Sequence, residues 1–314
     1  MSENQSLNKV SKCSSILITG GNGLIGRYLT SLLLSEGYII SHLSRRASQP
    51  DKVRAFRWDP SKGIIDPCAL EGVDYIIHLA GANIGEQRWS RKRKEEIVIS
   101  RVQSTKLLYN TIINNKIKLK GFISASAVGF YGSVTSEKIF TETDPPGTDF
   151  LGSTCREWEE AADLFENSGV RTVKIRTAVV LEKSDSALSK LMSPARFGFL
   201  LQTGNGRQYM PWIHIKDLCN IYLKAIKDEQ MSGPYNAVSS QHISHREFIK
   251  ILSGVVNKAV FPIPVPSLIL KTVLGEMSDV VLKGSRVSSE KIVNSGYKFL
   301  FNDTQEALRN VICG

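Results

Sequence analysis

The chain has no apolar run long enough to cross a bilayer as a helix, which takes about twenty residues. Met1 to Ser14 are polar and lack the apolar stretch of a secretory signal, so a frayed N-terminal tail is expected over residues 1–14. The five cysteines, Cys13, Cys68, Cys155, Cys219 and Cys313, are odd in number and scattered, with no C-x-x-C among them. That argues against a disulfide framework or a zinc site and suits a reducing cytosol. His242 and His245 stand three apart near an expected helix start, but no third metal ligand accompanies them, and no metal site is expected. No nucleic-acid motif goes with the net charge of +10. The densest basic run, Arg88 to Lys94, is followed by Glu95 and Glu96. Arg91 can then pair with Glu95, and Lys92 with Glu96, on a solvated helix. A cytoplasmic protein with no membrane or nucleic-acid partner is the expectation, and a basic surface suits an anionic cofactor or substrate.

What is present is a glycine turn. Thr19-Gly20-Gly21-Asn22-Gly23-Leu24-Ile25-Gly26 follows the apolar run Ile16-Leu17-Ile18 and opens a segment with Ile25, Leu29, Leu32 and Leu33 on one helical face. Gly20, Gly23 and Gly26 each have a mechanical reason to be glycine. One makes the tight turn, one lets backbone approach a pyrophosphate, and one lets helix and strand pack closely. The alternative is a glycine-rich turn with no ligand. Gly37 stops the helix, and Tyr38 to Leu43 reads as the second strand.

The alternation continues. Val73 to Ala82 reads as a buried parallel strand ending in small residues, and Glu95 to Ile113 as a helix. Gly121 to Ser126 is a strand, Thr154 to Asn167 a helix closed by Ser168-Gly169, and Val170 to Arg176 the next strand. This βαβ pattern predicts an α/β fold with a Rossmann-type, doubly wound parallel sheet. From about Leu181 glycines and prolines break the chain into loops and short elements. Ser244 to Glu247 is a capping box opening a helix, and the residues after it look like a small, mostly helical cap. The expected organisation is a dinucleotide domain over 15–240, with substrate-side insertions from about 181, and a small C-terminal domain over 241–314.

The end of the second strand selects the cofactor. NAD-binding folds place an acidic residue there, about twenty residues past the glycines, to hold the ribose 2′-hydroxyl. This chain has Ser44-Arg45-Arg46. Two guanidinium groups and a hydroxyl suit a 2′-phosphate, so NADP(H) is expected over NAD(H). A solvated arginine pair in a loop is the alternative.

With these residues in view, the chain resembles the short-chain dehydrogenase/reductase superfamily in its extended, sugar-nucleotide-epimerase-like form. The marks are the glycine turn, His78-Leu79-Ala80-Gly81, and Ser124-Ala125-Ser126 followed by Tyr131-Gly132. More narrowly it resembles the atypical, epimerase-like group that carries a small C-terminal domain of unknown function. Trp58-Asp59-Pro60, Leu79 to Ile84, Arg88-Trp89, Ser100-Arg101, Ser124 to Gly132 and Pro211 to Ile215 carry that likeness. The resemblance implies cofactor contacts at Gly20, Gly21, Asn22, Gly23, Leu24, Ile25, Gly26, Ser44, Arg45, Arg46, Asp59, Leu79, Ala80 and Gly81.

The superfamily's chemistry uses a Ser and a Tyr-x-x-x-Lys on the following helix. The Tyr is the acid/base and the Lys lowers its pKa. Ser126 matches the Ser, but the Tyr and Lys places fall at Leu151 and Cys155. An Asn that often completes the proton relay is Arg101 here, and an Arg that commonly meets a sugar nucleotide's diphosphate is Met210. Gly204-Asn205-Gly206 remains where the family's substrate loop lies.

Ser126 is then either a substrate-facing hydroxyl or a satisfied turn serine. Cys155 is a buried helix residue or a nucleophile, and Tyr131 a stand-in acid or a packing residue. Arg101 either binds an anion or braces its helix. His78 and His214, inside apolar strands, read as satisfied core histidines. The resulting expectation is an NADP(H)-dependent oxidoreductase or epimerase-like enzyme acting on a small carbonyl, alcohol or sugar-nucleotide-like substrate. A non-catalytic NADPH-binding sensor or interaction protein is the alternative.

Overall fold

The structure, a computed structural model, describes residues 14–45 and 53–314. Arg46 and all of the expected tail except Ser14 lie outside the described residues. In chain order the elements begin β1 (Ser15–Thr19), α1 (Leu24–Ser35), β2 (Ile39–Ser44), β3 (Arg54–Asp59), β4 (Ile64–Ile65), β5 (Tyr75–His78), α2 (Arg91–Asn114) and β6 (Gly121–Ala127). They continue with β7 (Ile139–Phe140), α3 (Phe150–Asn167), β8 (Thr172–Thr177), β9 (Val179–Leu181), α4 (Ala187–Met192), β10 (Phe199–Leu200), β11 (Trp212–His214), α5 (Ile215–Lys227) and β12 (Gly233–Ala237). The remainder is α6 (His245–Val256), β13 (Ala259–Val260), α7 (Ser267–Leu274), α8 (Asp279–Leu282), β14 (Arg286–Val287), α9 (Glu290–Asn294) and α10 (Thr304–Cys313).

Eight strands form the main sheet in the order β12-β8-β6-β5-β1-β2-β3-β4. Every pairing in it is parallel except β3 with β4. The strand order reverses between β1 and β5, and a doubly wound sheet opens its ligand crevice at that point, beyond the strands' C-terminal ends. Apolar residues cover both faces, as a buried parallel sheet requires. Ile16, Ile18, Leu29, Ile77, Ile123 and Ile221 pack in one layer, and Leu17, Leu43, Ile76, Leu108, Phe122 and Phe165 in the other. A third apolar cluster joins Leu181, Leu200 and Trp212 to Phe248, Leu252 and Leu308, so the C-terminal helices share a core with the segment after residue 181. Three further parallel pairs, β10 with β13, β9 with β11 and β7 with β14, stitch this region together.

Several boundaries differ from the sequence expectation, each for a local reason. Helix α2 starts at Arg91, ahead of Glu95, because the Ser90 side chain caps it by accepting from Arg93 N. The expected Arg91–Glu95 pair forms at 3.2 Å. Glu96 instead meets Arg93, at 2.8 Å, and buried Arg93 also reaches Glu86 and the Asn83 carbonyl. Helix α3 starts at Phe150, ahead of Thr154, where the Asp149 carboxylate accepts from Gly152 N. Strand β5 ends at His78, and the backbone N–H groups of Leu79 and Ala80 turn to Thr19 Oγ1 at 3.1 and 3.2 Å.

Candidate cofactor and substrate site

The glycine turn sits at the strand-order reversal. Gly20 has φ +72°, a left-handed conformation that costs glycine little. A Cβ there would lie 3.0 Å from the Leu79 carbonyl carbon, so the turn lies against the end of β5. A Cβ on Gly26 would lie 2.4 Å from Gly20 O, which itself accepts from Gly23 N at 2.9 Å. Gly21 rests on the His42 ring, which would meet an added Cβ at 2.4 Å. His42 Nε2 is 2.9 Å from Thr30 Oγ1, and burial pushes its pKa down, so it fills the space under the turn as a neutral ring.

Above that floor, Asn22 and Gly23 are exposed. Helix α1 follows Gly23 as its N-cap, with no side-chain cap and no acidic residue in its first turn. The first N–H groups of a helix have no partner within it, and the helix dipole favours negative charge there. An uncapped helix start behind a glycine turn suits a phosphate. The residues present therefore fit a dinucleotide.

The crevice wall is fixed by His78. Its Nδ1 is 2.7 Å from Thr19 Oγ1 and its Nε2 is 3.1 Å from Ser104 Oγ. Complete burial pushes its pKa down to about 3. His78 is thus the satisfied core histidine that its strand predicted. Ser44 ends β2 half-buried, with Arg45 exposed beside it. Asp59 ends β3 and caps the next turn, its Oδ1 accepting from Ser61 N at 3.1 Å and Ser61 Oγ at 2.6 Å. Met210 is buried in the third apolar cluster.

The corner between β6 and α3 holds the other candidates. Ser126 is 3% exposed, and its Oγ donates to Glu159 Oε1 at 2.6 Å. Arg176 of β8 grips the same carboxylate in a fork, Nε to Oε1 and Nη2 to Oε2, both at 2.9 Å. Arg176 Nη1 donates on to the Tyr131 hydroxyl at 3.0 Å, and Tyr131 donates to Asn236 Oδ1 at 2.7 Å. Asn236 Nδ2 in turn donates to the Ser288 carbonyl at 3.1 Å, just past β14. A buried polar chain therefore runs from the candidate serine to the C-terminal segment.

This geometry argues against Tyr131 as a stand-in acid and against Cys155 as a nucleophile. Tyr131 is 2% exposed, its hydroxyl is taken at both ends, and burial pushes its pKa up to about 12. Cys155 lies in the apolar core with its thiol likewise raised to about 12, by burial and then by Glu159. Leu151 and Cys155 close against Gly129, where a Cβ would lie 3.5 Å from Leu151 Cβ and 3.8 Å from the Cys155 sulfur. Arg101 spans the gap between α2 and α3, its guanidinium 5.0 Å above the Trp158 ring and against the backbone of Gly81.

Sequence reasoning missed Glu159, Arg176 and Asn236. The available signal was a charge at a buried position: Glu159 falls on the face of α3 shared with Cys155, Trp158 and Ala162, and Arg176 lies inside a buried strand.

Thiol reactivity follows from these environments, because the thiolate is the reacting form. Iodoacetamide at pH 8 is expected to label exposed Cys68 and Cys313 and to spare Cys155 and Cys219, whose thiols burial raises to about 12. Peptide mapping by mass spectrometry checks this. Labelling of Cys155 in the folded protein would show an accessible thiol there.

Fold and crevice together define a Rossmann-type dinucleotide protein of the short-chain dehydrogenase/reductase kind. The chain belongs to the NAD dependent epimerase/dehydratase family, whose model matches residues 16–155, and residues 265–311 match a domain of unknown function. It is 34% identical to the epimerase family protein YfhF of Bacillus subtilis, over 95% of this chain and 97% of that one. The human epimerase family protein SDR39U1, in a crystal structure with NADPH, superposes with a TM-score of 0.83 at 28% identity, covering 95% of this chain and 98% of that one. The UDP-glucuronic acid 4-epimerase of Bacillus cereus, solved with UDP-glucuronic acid and NAD, shares the fold with a TM-score of 0.78 at 20% identity, covering 95% of this chain and 97% of that one.

Proposed function

We propose that this chain binds NADP(H) and works as an oxidoreductase or epimerase-like enzyme on a small carbonyl, alcohol or sugar-nucleotide-like compound. The observation that carries the reading is the uncapped start of α1 behind a turn in which Gly21 and Gly26 leave no room for a Cβ. When bound, the nicotinamide supplies or accepts a hydride. The backbone of Gly20 to Gly26 holds the pyrophosphate, and Leu79 to Gly81 form the crevice edge. Ser44, Arg45 and Arg46 take the 2′-phosphate, a preference supported by the NADPH in the human relative. The substrate lies between the sheet's C-terminal edge and the segment after residue 181, with the C-terminal residues 241–314 beside it. Ser126 donates its proton to Glu159, so it meets the substrate oxygen as an acceptor, turning a substrate hydroxyl toward it. With Leu151 and Cys155 at the usual acid positions, the final proton comes from water or from the substrate.

We place the protein in the cytoplasm. Among the described residues no helix is long and apolar enough to cross a membrane, and no cluster of His, Cys, Asp or Glu could hold a metal ion.

Turnover tests the enzyme reading. Reduction of NADP+ to NADPH, followed by near-ultraviolet absorbance over a panel of hydroxy compounds, is expected to fall on the order of tenfold or more in Ser126→Ala. Tight NADPH binding without turnover on any compound supports the second reading, a sensor or interaction protein. The loss of the Tyr-x-x-x-Lys pair to Leu151 and Cys155 favours that reading.

The phosphate preference has its own test. Replacing Arg45 and Arg46 together by Ala should weaken NADPH binding about 10- to 100-fold or more and leave NADH unchanged, since losing even one charge-assisted hydrogen bond costs about 1.5–3 kcal/mol. Equal NADPH affinity in the variant would remove these arginines from the 2′-phosphate site.

A further inference from the structure

Arg101 is a partly buried cation for which the described residues supply no anion. The other buried guanidiniums of this region are paired, Arg93 with Glu86 and Glu96 and Arg176 with Glu159. No ion pair forms at Arg101 among the described residues. Its Nη1 donates to the Ile97 carbonyl at 2.9 Å, and its guanidinium lies over the Trp158 ring. The nearby charged group is Arg93, of the same sign, and the neighbouring Cys155 thiol stays protonated. Desolvating a charge without a partner is costly, and the two buried arginines nearby are each answered by a carboxylate.

Position explains the exception. A Cβ on Gly81 would lie 3.0 Å from the Arg101 Cζ, so the guanidinium stands at the C-terminal end of β5, just beyond the exposed glycine of the crevice edge. The Trp158 beneath it is next to Glu159, the partner of Ser126. The glycine turn that takes the pyrophosphate lies against Leu79 and Ala80, before Gly81. Arg101 therefore faces the substrate side of the crevice. Of the five N–H donors of an arginine, one is committed to Ile97, and the planar remainder matches a carboxylate in a two-bond fork.

We propose that Arg101 is the anchor for a carboxylate on the substrate, so that this chain acts on an anionic hydroxy or oxo acid. Resting on the cofactor reading above, the inference adds the substrate's charge class. The guanidinium holds the carboxylate, Ser126 accepts from the neighbouring hydroxyl, and Leu151 and Cys155 close against Gly129 beside them.

The test uses the full chain saturated with NADPH. Three carboxylates of graded size (oxamate, benzoate and gluconate) are titrated by calorimetry, with neutral oxamide and inorganic phosphate as controls. At least one carboxylate is expected to bind the NADPH complex. Arg101→Gln should weaken it by about tenfold or more, the change expected from one charge-assisted bond, and Arg101→Lys should keep part of the affinity. NADPH affinity should change by less than about twofold in both variants, far below the loss of one such bond. Arg101→Lys serves as the deciding variant if Arg101→Gln melts early. The proposal fails if no carboxylate saturates the wild-type complex, if oxamide binds as well as oxamate, if phosphate outcompetes every carboxylate, or if Arg101→Gln leaves carboxylate affinity unchanged. Loss of NADPH affinity in Arg101→Gln with an unchanged melting temperature assigns the guanidinium to the cofactor and also overturns it. Failure of the cofactor reading shows separately, as absent NADPH binding in wild type.

Discussion

Gly26→Ala is expected to abolish dinucleotide binding and to lower the melting temperature. The added methyl would lie 2.4 Å from Gly20 O and 2.6 Å from Gly21 O, both backbone atoms that no rotamer change can move. Gly20 cannot retreat easily, because a Cβ on it would lie only 3.0–3.1 Å from the Leu79 and Ala80 backbone at the end of β5. The turn and the first turn of α1 must separate, and overpacking of this kind costs about 1–3 kcal/mol. Binding suffers more, since the N–H groups proposed to meet the pyrophosphate belong to the displaced backbone. Losing two such charge-assisted bonds, at about 1.5–3 kcal/mol each, lowers affinity by at least about 100-fold. Fluorescence titration with NADPH alongside a thermal melt measures both effects. Wild-type affinity in a folded Gly26→Ala protein would show that the cofactor does not rest on this turn.

Glu159→Ala should be the most destabilising single change in the candidate site. It strips the carboxylate from Arg176, which is 3% exposed, and leaves a buried cation uncompensated. Breaking a buried pair from one side costs about 3–5 kcal/mol. The same change removes the acceptor of Ser126 and loosens the Arg176 contact with Tyr131, so the chain of bonds to Asn236 and Ser288 frays from its centre. Glu159→Gln keeps an acceptor for Ser126 and should cost less, about 1–3 kcal/mol. Replacing both charges by apolar residues, as in Glu159→Leu with Arg176→Met, should recover much of the loss, because two desolvation penalties vanish together. Urea denaturation of the four proteins reads these differences. A Glu159→Ala protein within about 1 kcal/mol of wild type would mean that water reaches Arg176 and that the pair is not the anchor described.

The parts of this protein that were legible in the sequence are those set by short-range rules. The glycine turn, its flanking strand and the helix behind it are contiguous, and steric needs within a few residues dictate them. His78 could be read as a structural core histidine because it closes the apolar run Tyr75, Ile76 and Ile77, all buried. Alternating strands and helices gave the sheet, since buried parallel strands are apolar throughout.

What escaped depends on packing between distant segments. Glu159 and Arg176 become partners only because α3 lies across β8 with one register, and neither residue's neighbours in sequence announce the other. Sequence alone leaves Tyr131 open between a stand-in acid and a packing residue, and its hydroxyl meets Asn236 from a strand 105 residues away. Helix starts moved because caps at Ser90 and Asp149 outweigh the apolar periodicity that marks the helix interior. Arg45 is described and exposed at the end of β2, as its loop position suggested, whereas Arg46 lies outside the described residues.

The central claim, a phosphate-selective dinucleotide cradle, is tested most directly by titrating wild-type protein with NADPH and NADH under one set of conditions. The account predicts saturable binding of both at one site, with NADPH tighter by about tenfold or more, as one charge-assisted bond to a 2′-phosphate implies. Equal affinities, or tighter binding of NADH, would contradict it.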